Sequence, residues 1–299
     1  MAELSIYLFG SVRVLQSDQE LRIRPASRML LLYLLLHRLK HHRREELSTL
    51  FWGDTSDAHA RRCLNSALWR LRQDFTDTNL INSNVQGDVV LKLQENCYLD
   101  VVEFENLALS HLKKSPEVLN EAEIKNLEQA VAIYHGDLAE NCYYDWILPE
   151  RERFRALYLD VLSLLMQAHS HHRSHAQAIR IGQQILQMDP LREDIHRHLI
   201  RLYIATDQRN RALQQYMTCW QLLQSELHLT PIPETTALYE EIVGKEPFPG
   251  LATAPVSTPL ASTSLSAPHN LDHLVSLLHT LQAEIQNTLH AIDQMTTSH

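Results

Sequence analysis

No stretch of this chain holds the roughly 20 consecutive apolar residues that a membrane-crossing helix requires. Its most apolar run, LLLYLLL from Leu30, is short and gives way to the basic segment that begins at His37. The opening residues MAELSIYLFG lack the cationic start of a secretory signal, so the expected location is the cytoplasm. Cysteine is sparse: Cys63, Cys97, Cys142 and Cys219 are scattered with no C-x-x-C pair. That spacing argues against both a disulfide framework and a zinc knuckle. Nor can a nucleophile, a base and oxyanion-stabilising groups be assembled from the sequence. Neither an enzyme nor a bound cofactor is expected.

Two clusters imitate functional sites. His169, His171, His172 and His175 crowd one helix end, and His171 and His175 have the spacing of metal ligands. Without a nearby cysteine or a suitable carboxylate they read as a solvated turn, and no metal site is expected. In DWILPERER, from Asp145, carboxylates and arginines alternate as in a catalytic cluster. They read instead as a domain junction. Trp146, Ile147 and Leu148 are the expected anchor, with Glu150, Arg151, Glu152 and Arg153 making caps and surface ion pairs.

What the chain does contain is a soluble globular composition, 44% hydrophobic and 21% charged, in 299 residues. That length accommodates two domains plus extensions. The net charge of −9 is unevenly spread. Between Leu21 and Phe75 there are 11 basic residues against 5 acidic ones, a local charge of +6. Such asymmetry suits one part that binds nucleic acid and another that meets other partners.

The basic part centres on SDAHARRCLNSALWRLRQDF, Ser56 to Phe75. Ala60, Cys63, Leu64, Ala67, Leu68, Leu71 and Phe75 recur at the spacing of one helical face. With that face inward, Arg62, Ser66, Trp69 and Gln73 point outward, flanked by Asn65, Arg61, Arg70 and Arg72. Arg and Asn carry the forked groups that read guanine and adenine edges, and the flanking arginines suit phosphates. The segment reads as a DNA recognition helix.

Its surroundings read as a winged helix. Leu4 to Leu15 and Leu21 to Ile23 form short strands around a polar SDQE turn. A buried helix begins at Pro25, and the LKHHRR connection leads into a second helix, Glu45 to Trp52, with Leu47, Leu50 and Phe51 inward. Gly53 ends it, and Thr55, Ser56 or Asp57 caps the next. Leu80 to Ser83 and Val89 to Leu93 then make a hairpin whose tight turn uses Gly87, with Lys92, Asn82 and Asn84 as its polar groups. In this arrangement the third helix enters the major groove.

Beyond Asp100 the periodicity is helical: Val101 to Lys114, Ala122 to His135 and Pro149 to His169 come first. Then Ala178 lies 34 residues before Ala212, and Leu165 keeps the same offset from Leu199. That period of paired helices is the tetratricopeptide spacing, which stacks into a curved solenoid. The fold class is therefore mainly α: a winged helix-turn-helix with small β-sheets, followed by a tetratricopeptide-like α-solenoid. Pro247 to Pro268 reads as a disordered Pro/Ser/Thr/Ala linker. In the final helix Leu271, Leu278, Ile285 and Ile292 recur at heptad spacing. It fits either a coiled coil between protomers or a helix docked on its own solenoid.

Taken together these stretches resemble the SARP-type antibiotic regulatory proteins, bacterial activators that join an OmpR-type winged helix to a bacterial transcriptional activator domain. The resemblance is carried by LFWGD from Leu50, LNSALWRLRQDF from Leu64, YLDVVEFENL from Tyr98, YHGDLAENCYYDWILPERERFRALYLD from Tyr134 and the long stretch from Gln187 to Ile242. It implies a winged helix over residues 1–97 and the activator domain over 98–245, while composition and heptad spacing put a linker over 246–270 and the last helix over 271–295. It further implies an activator bound to repeated promoter sites on double-stranded DNA as a homodimer, contacting RNA polymerase holoenzyme, in the bacterial cytoplasm at the nucleoid. Arg62, Asn65, Ser66 and Trp69 would address base edges, with Arg43, Arg44, Arg61, Arg70, Arg72 and Lys92 near the backbone. Trp69 departs from the small polar residue of many relatives. The polymerase contact would be Trp52, Gly53, Asp54, Thr55 and Ser56. Larger relatives append an ATPase domain, but this chain has no Walker-type glycine loop. The competing expectation is a protein-interaction scaffold whose winged helix does not bind DNA.

Overall fold

The computed structural model describes residues 4–75, 80–94 and 96–244. The expected linker and last helix lie outside the described residues. All of the described residues fall in one compact unit.

The chain opens with β1 (Leu4–Tyr7) and β2 (Arg13–Gln16), an antiparallel pair, followed by β3 (Gln19–Glu20). Leu21 to Ile23, expected as a strand, is not one. Ser17 and Asp18 both adopt positive φ, 50° and 65°, the geometry of a two-residue hairpin turn. Gln19 therefore pairs with Gln16 at once, and the strand falls inside the polar segment that reads as a turn. A fourth strand, β6 (Cys97–Leu99), runs parallel to β1, giving the order β3-β2-β1-β6. The expected division between residues 97 and 98 thus falls within a strand of the first sheet.

Three helices follow β3: α1 (Pro25–Leu36), α2 (Arg44–Trp52) and α3 (Asp57–Asp74). Proline at the first position of α1 loses nothing, because an N–H there has no intrahelical acceptor. In α2 Leu47 is buried and Phe51 half-buried, but Leu50 is 44% exposed, contrary to the inward expectation. The hairpin is β4 (Ile81–Ser83) with β5 (Val89–Leu91), and Gly87 adopts φ 84° in its turn. His42, in the connection before α2, exchanges two backbone hydrogen bonds with Val89, at 3.0 and 2.8 Å. That bridge fixes the hairpin beside the start of α2.

The helical part comprises α4 (Asp100–Leu109), α5 (Glu121–Ile133), α6 (Leu148–His171), α7 (His175–Met188), α8 (Glu193–Ala205), α9 (Arg209–Leu222) and α10 (Pro233–Val243). The first of these stops short of Lys114. Bonds from His111 N to Ala108 O and from Lys114 N to His111 O tighten the chain into turns ahead of Pro116. Asn120 starts α5 with a reciprocal cap, its side chain accepting from Glu123 N while the Glu123 carboxylate accepts from Asn120 N, both at 3.0 Å. The repeat is real in space: Ala178, Ala212, Leu165 and Leu199 are all buried. A Cβ on Gly182 would lie 2.7 Å from Leu199 Cδ2 and 2.9 Å from Met166 Sδ, so glycine lets α6, α7 and α8 approach closely.

Sheet and helices share one core. Leu8 O accepts from Ala139 N at 2.7 Å, and Gly10 both donates to Asp137 O and accepts from Glu140 N. Buried Asp100 accepts from Leu8 N at 2.7 Å, Phe9 N at 2.9 Å and Val101 N at 2.7 Å. Desolvation pushes its carboxyl up to about 6 despite those bonds, which favour the anion. The Phe9 ring meets Phe104, Tyr134 and Phe154 at 4.7–5.4 Å between centroids.

DWILPERER does occupy this junction. Trp146 packs edge-on against Tyr33 and Phe51, and Ile147 is buried. Leu148, expected among the anchors, is 49% exposed. Among the described residues Arg151 makes no ion pair and instead donates to the carbonyls of Leu138, Ala139 and Cys142. Arg153 bridges Glu150 and Glu105, and Glu105 also holds Arg38 at 2.9 Å. Of the histidine cluster, His169 lies 3.3 Å from Glu128 and His172 3.1 Å from Leu119 O.

Candidate nucleic-acid interface

The third helix is positioned by its apolar stripe. Ala60, Leu64, Ala67, Leu68, Leu71 and Phe75 are buried against α1, α2 and the hairpin, with Cys63 at the margin. Ser56 takes the N-cap position without a side-chain cap bond, while its carbonyl accepts from His59 N and Ala60 N. Burying one stripe forces the opposite residues outward. Arg61, Arg62, Asn65, Ser66 and Gln73 are exposed, and Trp69 is 62% exposed. An indole that open on a helix with a full apolar face is not needed by the core.

The cations differ in their commitments. Among the described residues, the side chains of Arg61, Arg62 and Arg70 make no hydrogen bond or ion pair. Arg62 and Arg70 line one side of a groove with Ser66, His59 and Trp52. Arg72 is committed to the hairpin, donating to Ile81 O at 3.2 Å and Ser83 Oγ at 3.1 Å. Desolvation, and then the nearby Arg44 charge, lower its guanidinium from the ordinary range. Arg44 is committed twice, to Gly87 O at 3.1 Å and Asn65 Oδ1 at 2.8 Å. Arg43, at the N-cap position of α2, and Lys92, just past β5, are exposed.

Sequence reasoning therefore places the outward residues correctly but groups Arg44, Arg61, Arg70 and Arg72 together near the DNA backbone, and the bridging role of Arg44 is invisible to it. Asn65 and Gly87 are 21 and 43 residues away from Arg44, and no periodicity connects them. The hairpin tip is held by its own side chains: Asn84 Oδ1 accepts from Asp88 N at 2.8 Å and its amide donates to the Asp88 carboxylate at 3.0 Å.

Between α2 and α3 the chain makes an exposed turn. Trp52 O accepts from both the Thr55 N–H and the Thr55 hydroxyl, at 3.1 and 2.9 Å. A Cβ on Gly53 would come 2.6 Å from Thr49 O, so the tight exit from α2 requires glycine. Gly53, Asp54, Thr55 and Ser56 are exposed and Trp52 half-buried on Phe51.

Among the described residues no helix is long and apolar enough to cross a membrane, and no group of three or more His, Cys, Asp or Glu is placed to hold a metal ion.

Comparison with known proteins agrees with this architecture. Residues 99–243 match the family model of the bacterial transcriptional activator domain. Among solved structures, Mycobacterium tuberculosis EmbR in complex with a low-affinity phosphopeptide superposes with a TM-score of 0.68 at 18% identity, over 83% of this chain and 67% of that one. At that identity the likeness concerns the fold. No curated protein sequence matches the chain. A winged helix of small sheets thus leads directly into a helical region, residues 99–243, that belongs to the bacterial transcriptional activator domain family, the order of parts in the SARP-type activators that the sequence resembles.

Proposed function

We propose that this activator works by sequence-specific binding of double-stranded promoter DNA through α3, and that it carries out no chemistry of its own. The observation that supports this reading best is the division among the cations of α3. Arg61, Arg62 and Arg70 have no partner among the described residues, beside exposed Asn65, Ser66 and Trp69. A solvated face maintained only for solubility has no need of an exposed indole among uncommitted guanidinium groups, whereas base edges and phosphates use both.

In this reading Arg62 and Ser66 address base edges, Trp69 lies against a thymine methyl or a sugar, and Arg43, Arg61, Arg70 and Lys92 neutralise phosphates. Two protomers occupy repeated sites at the nucleoid. The exposed turn from Trp52 to Ser56 meets RNA polymerase holoenzyme. Selection of fragments from bacterial genomic DNA by the purified full-length protein at moderate salt tests the reading. It should enrich a motif containing repeats. Enrichment of no sequence would leave the winged helix as part of a protein-binding scaffold.

A further inference from the structure

Asn65 has two chemically distinct ends, an acceptor oxygen and a donor NH2. An asparagine that reads adenine uses both, the oxygen accepting from N6 and the NH2 donating to N7. Here the oxygen is engaged: Asn65 Oδ1 accepts from Arg44 at 2.8 Å. The guanidinium that holds it is itself fixed, because its Nε donates to Gly87 O in the hairpin turn at 3.1 Å. Gly87 is fixed in turn. The backbone exchange between His42 and Val89 ties the hairpin to the segment just before Arg44, and Gly87 N donates to Asn84 O at 3.0 Å. A second guanidinium, Arg72, donates to Ser83 on the same hairpin. Oδ1 is therefore held by a fixed cationic donor.

That bond takes one of the two lone pairs of Oδ1, and a base amino group brought to the other would lie beside the Arg44 guanidinium, donor against donor and next to a fixed positive charge. The NH2 end of the amide, by contrast, is directed away from Arg44 by the bond its oxygen makes. Two N–H groups without an accompanying acceptor complement an edge of acceptors. In the major groove guanine offers two neighbouring acceptors, N7 and O6, while adenine offers N7 beside a donor.

We propose that Arg44 is a specificity-positioning residue, which holds Asn65 as a donor-only reader and makes it select guanine over adenine at the base pair it faces. The inference rests on the DNA-binding reading above and sharpens it: Arg44 acts on base choice through Asn65 instead of neutralising phosphate.

Selection from a pool of randomised duplexes tests it, with the full-length wild type, Asn65→Ala, Asn65→Asp and Arg44→Met. Asn65→Ala should flatten one column of the wild-type motif, and in the wild type that column should favour guanine over adenine by about 5-fold or more. Asn65→Asp keeps a partner for Arg44 but offers only acceptors, so the column should turn to cytosine, whose N4 amino donates. Arg44→Met releases Oδ1 and should move the column toward adenine. A merely structural role for Arg44 would weaken every column together without changing base order. An Asn65-dependent column that reads adenine in the wild type overturns the proposal, and so does unchanged base order in a folded Arg44→Met protein. Should Arg44→Met not fold, the Asn65→Asp column decides, and retained guanine there overturns it. A wild-type motif without any Asn65-dependent column defeats this proposal alone, whereas a wild type that enriches nothing defeats DNA reading altogether.

Discussion

The two sides of the winged helix use polar groups in opposite ways. Toward the helical repeat they are consumed internally: Asp100 accepts three backbone N–H groups, Arg151 donates to three carbonyls, and Glu105 joins Arg38 to Arg153. Away from it Arg61, Arg62 and Arg70 have no partner among the described residues. A buried polar group must be matched within the fold, because leaving it unmatched costs about 1–3 kcal/mol. An exposed one has water and incurs no such cost. Uncommitted cations on the outer face are therefore free to exchange water for a ligand, and the junction groups are not.

The most severe way to break that contrast is through the shared core. Phe154, from α6, meets Phe9 from the chain after β1, and both are buried. Phe154→Ala should cost about 3–5 kcal/mol. Because the ring joins sheet to helices, far-UV circular dichroism and tryptophan fluorescence should report one lowered transition. Two separated transitions would mean that the halves do not share a cooperative core.

Asp100 gives a smaller effect with a defined pH dependence. Burial pushes its carboxyl up to about 6 in the folded protein, above the ordinary carboxylate range. The folded state thus holds this proton more tightly than the unfolded one. The stabilisation is complete below about pH 4 and lost as pH rises through about 6, a change of at most about 3 kcal/mol. Urea midpoints measured from pH 4 to 7 should fall for the wild type, and Asp100→Asn should remove that part of the slope. An equal slope in both proteins would assign it to other groups.

How much of this was legible in the sequence depends on the range of the interaction. The stripe of α3 needs only helical period, and its buried set matches the expected one apart from partly exposed Cys63. The helical repeat is equally readable, because Ala178 and Ala212 recur where close packing demands small side chains. What stays hidden is long-range. The pairing of β6 with β1 joins residues more than ninety positions apart, and three residues carry too little periodicity to announce a strand. Leu50 and Leu148 look like core by type, but local pattern does not reveal that the described residues leave nearly half of each exposed. The Ser17–Asp18 turn lacks the Asn-Gly signature, so β3 is displaced by two residues from the expected strand.

On the outer face the expected effects concern binding and leave folding unchanged. Arg62→Ala should cost about 1–3 kcal/mol at the selected site and relax base preference at one position. Its unfolding midpoint should remain within about 0.5 kcal/mol of the wild type, since the side chain makes no hydrogen bond or ion pair among the described residues. A large loss of stability would place Arg62 with the junction arginines instead.

The finest test separates two arginines on α3 that sequence cannot tell apart. Arg70 makes no side-chain bond among the described residues, while Arg72 donates to Ile81 O and Ser83 Oγ. Replacing Arg70 by alanine should weaken binding to all sequences alike and lower the dependence of log K on log salt by about 0.9, the release expected for one phosphate contact. Stability should not change. Arg72→Ala should instead cost about 1 kcal/mol of folding free energy by releasing the hairpin from the helix. Salt titrations of both variants on one unrelated duplex, paired with their urea midpoints, would decide. If Arg72→Ala lowered the slope as Arg70→Ala does and left stability untouched, the hairpin bonds would not outcompete phosphate, and the contrast between committed and free cations would fail on this helix.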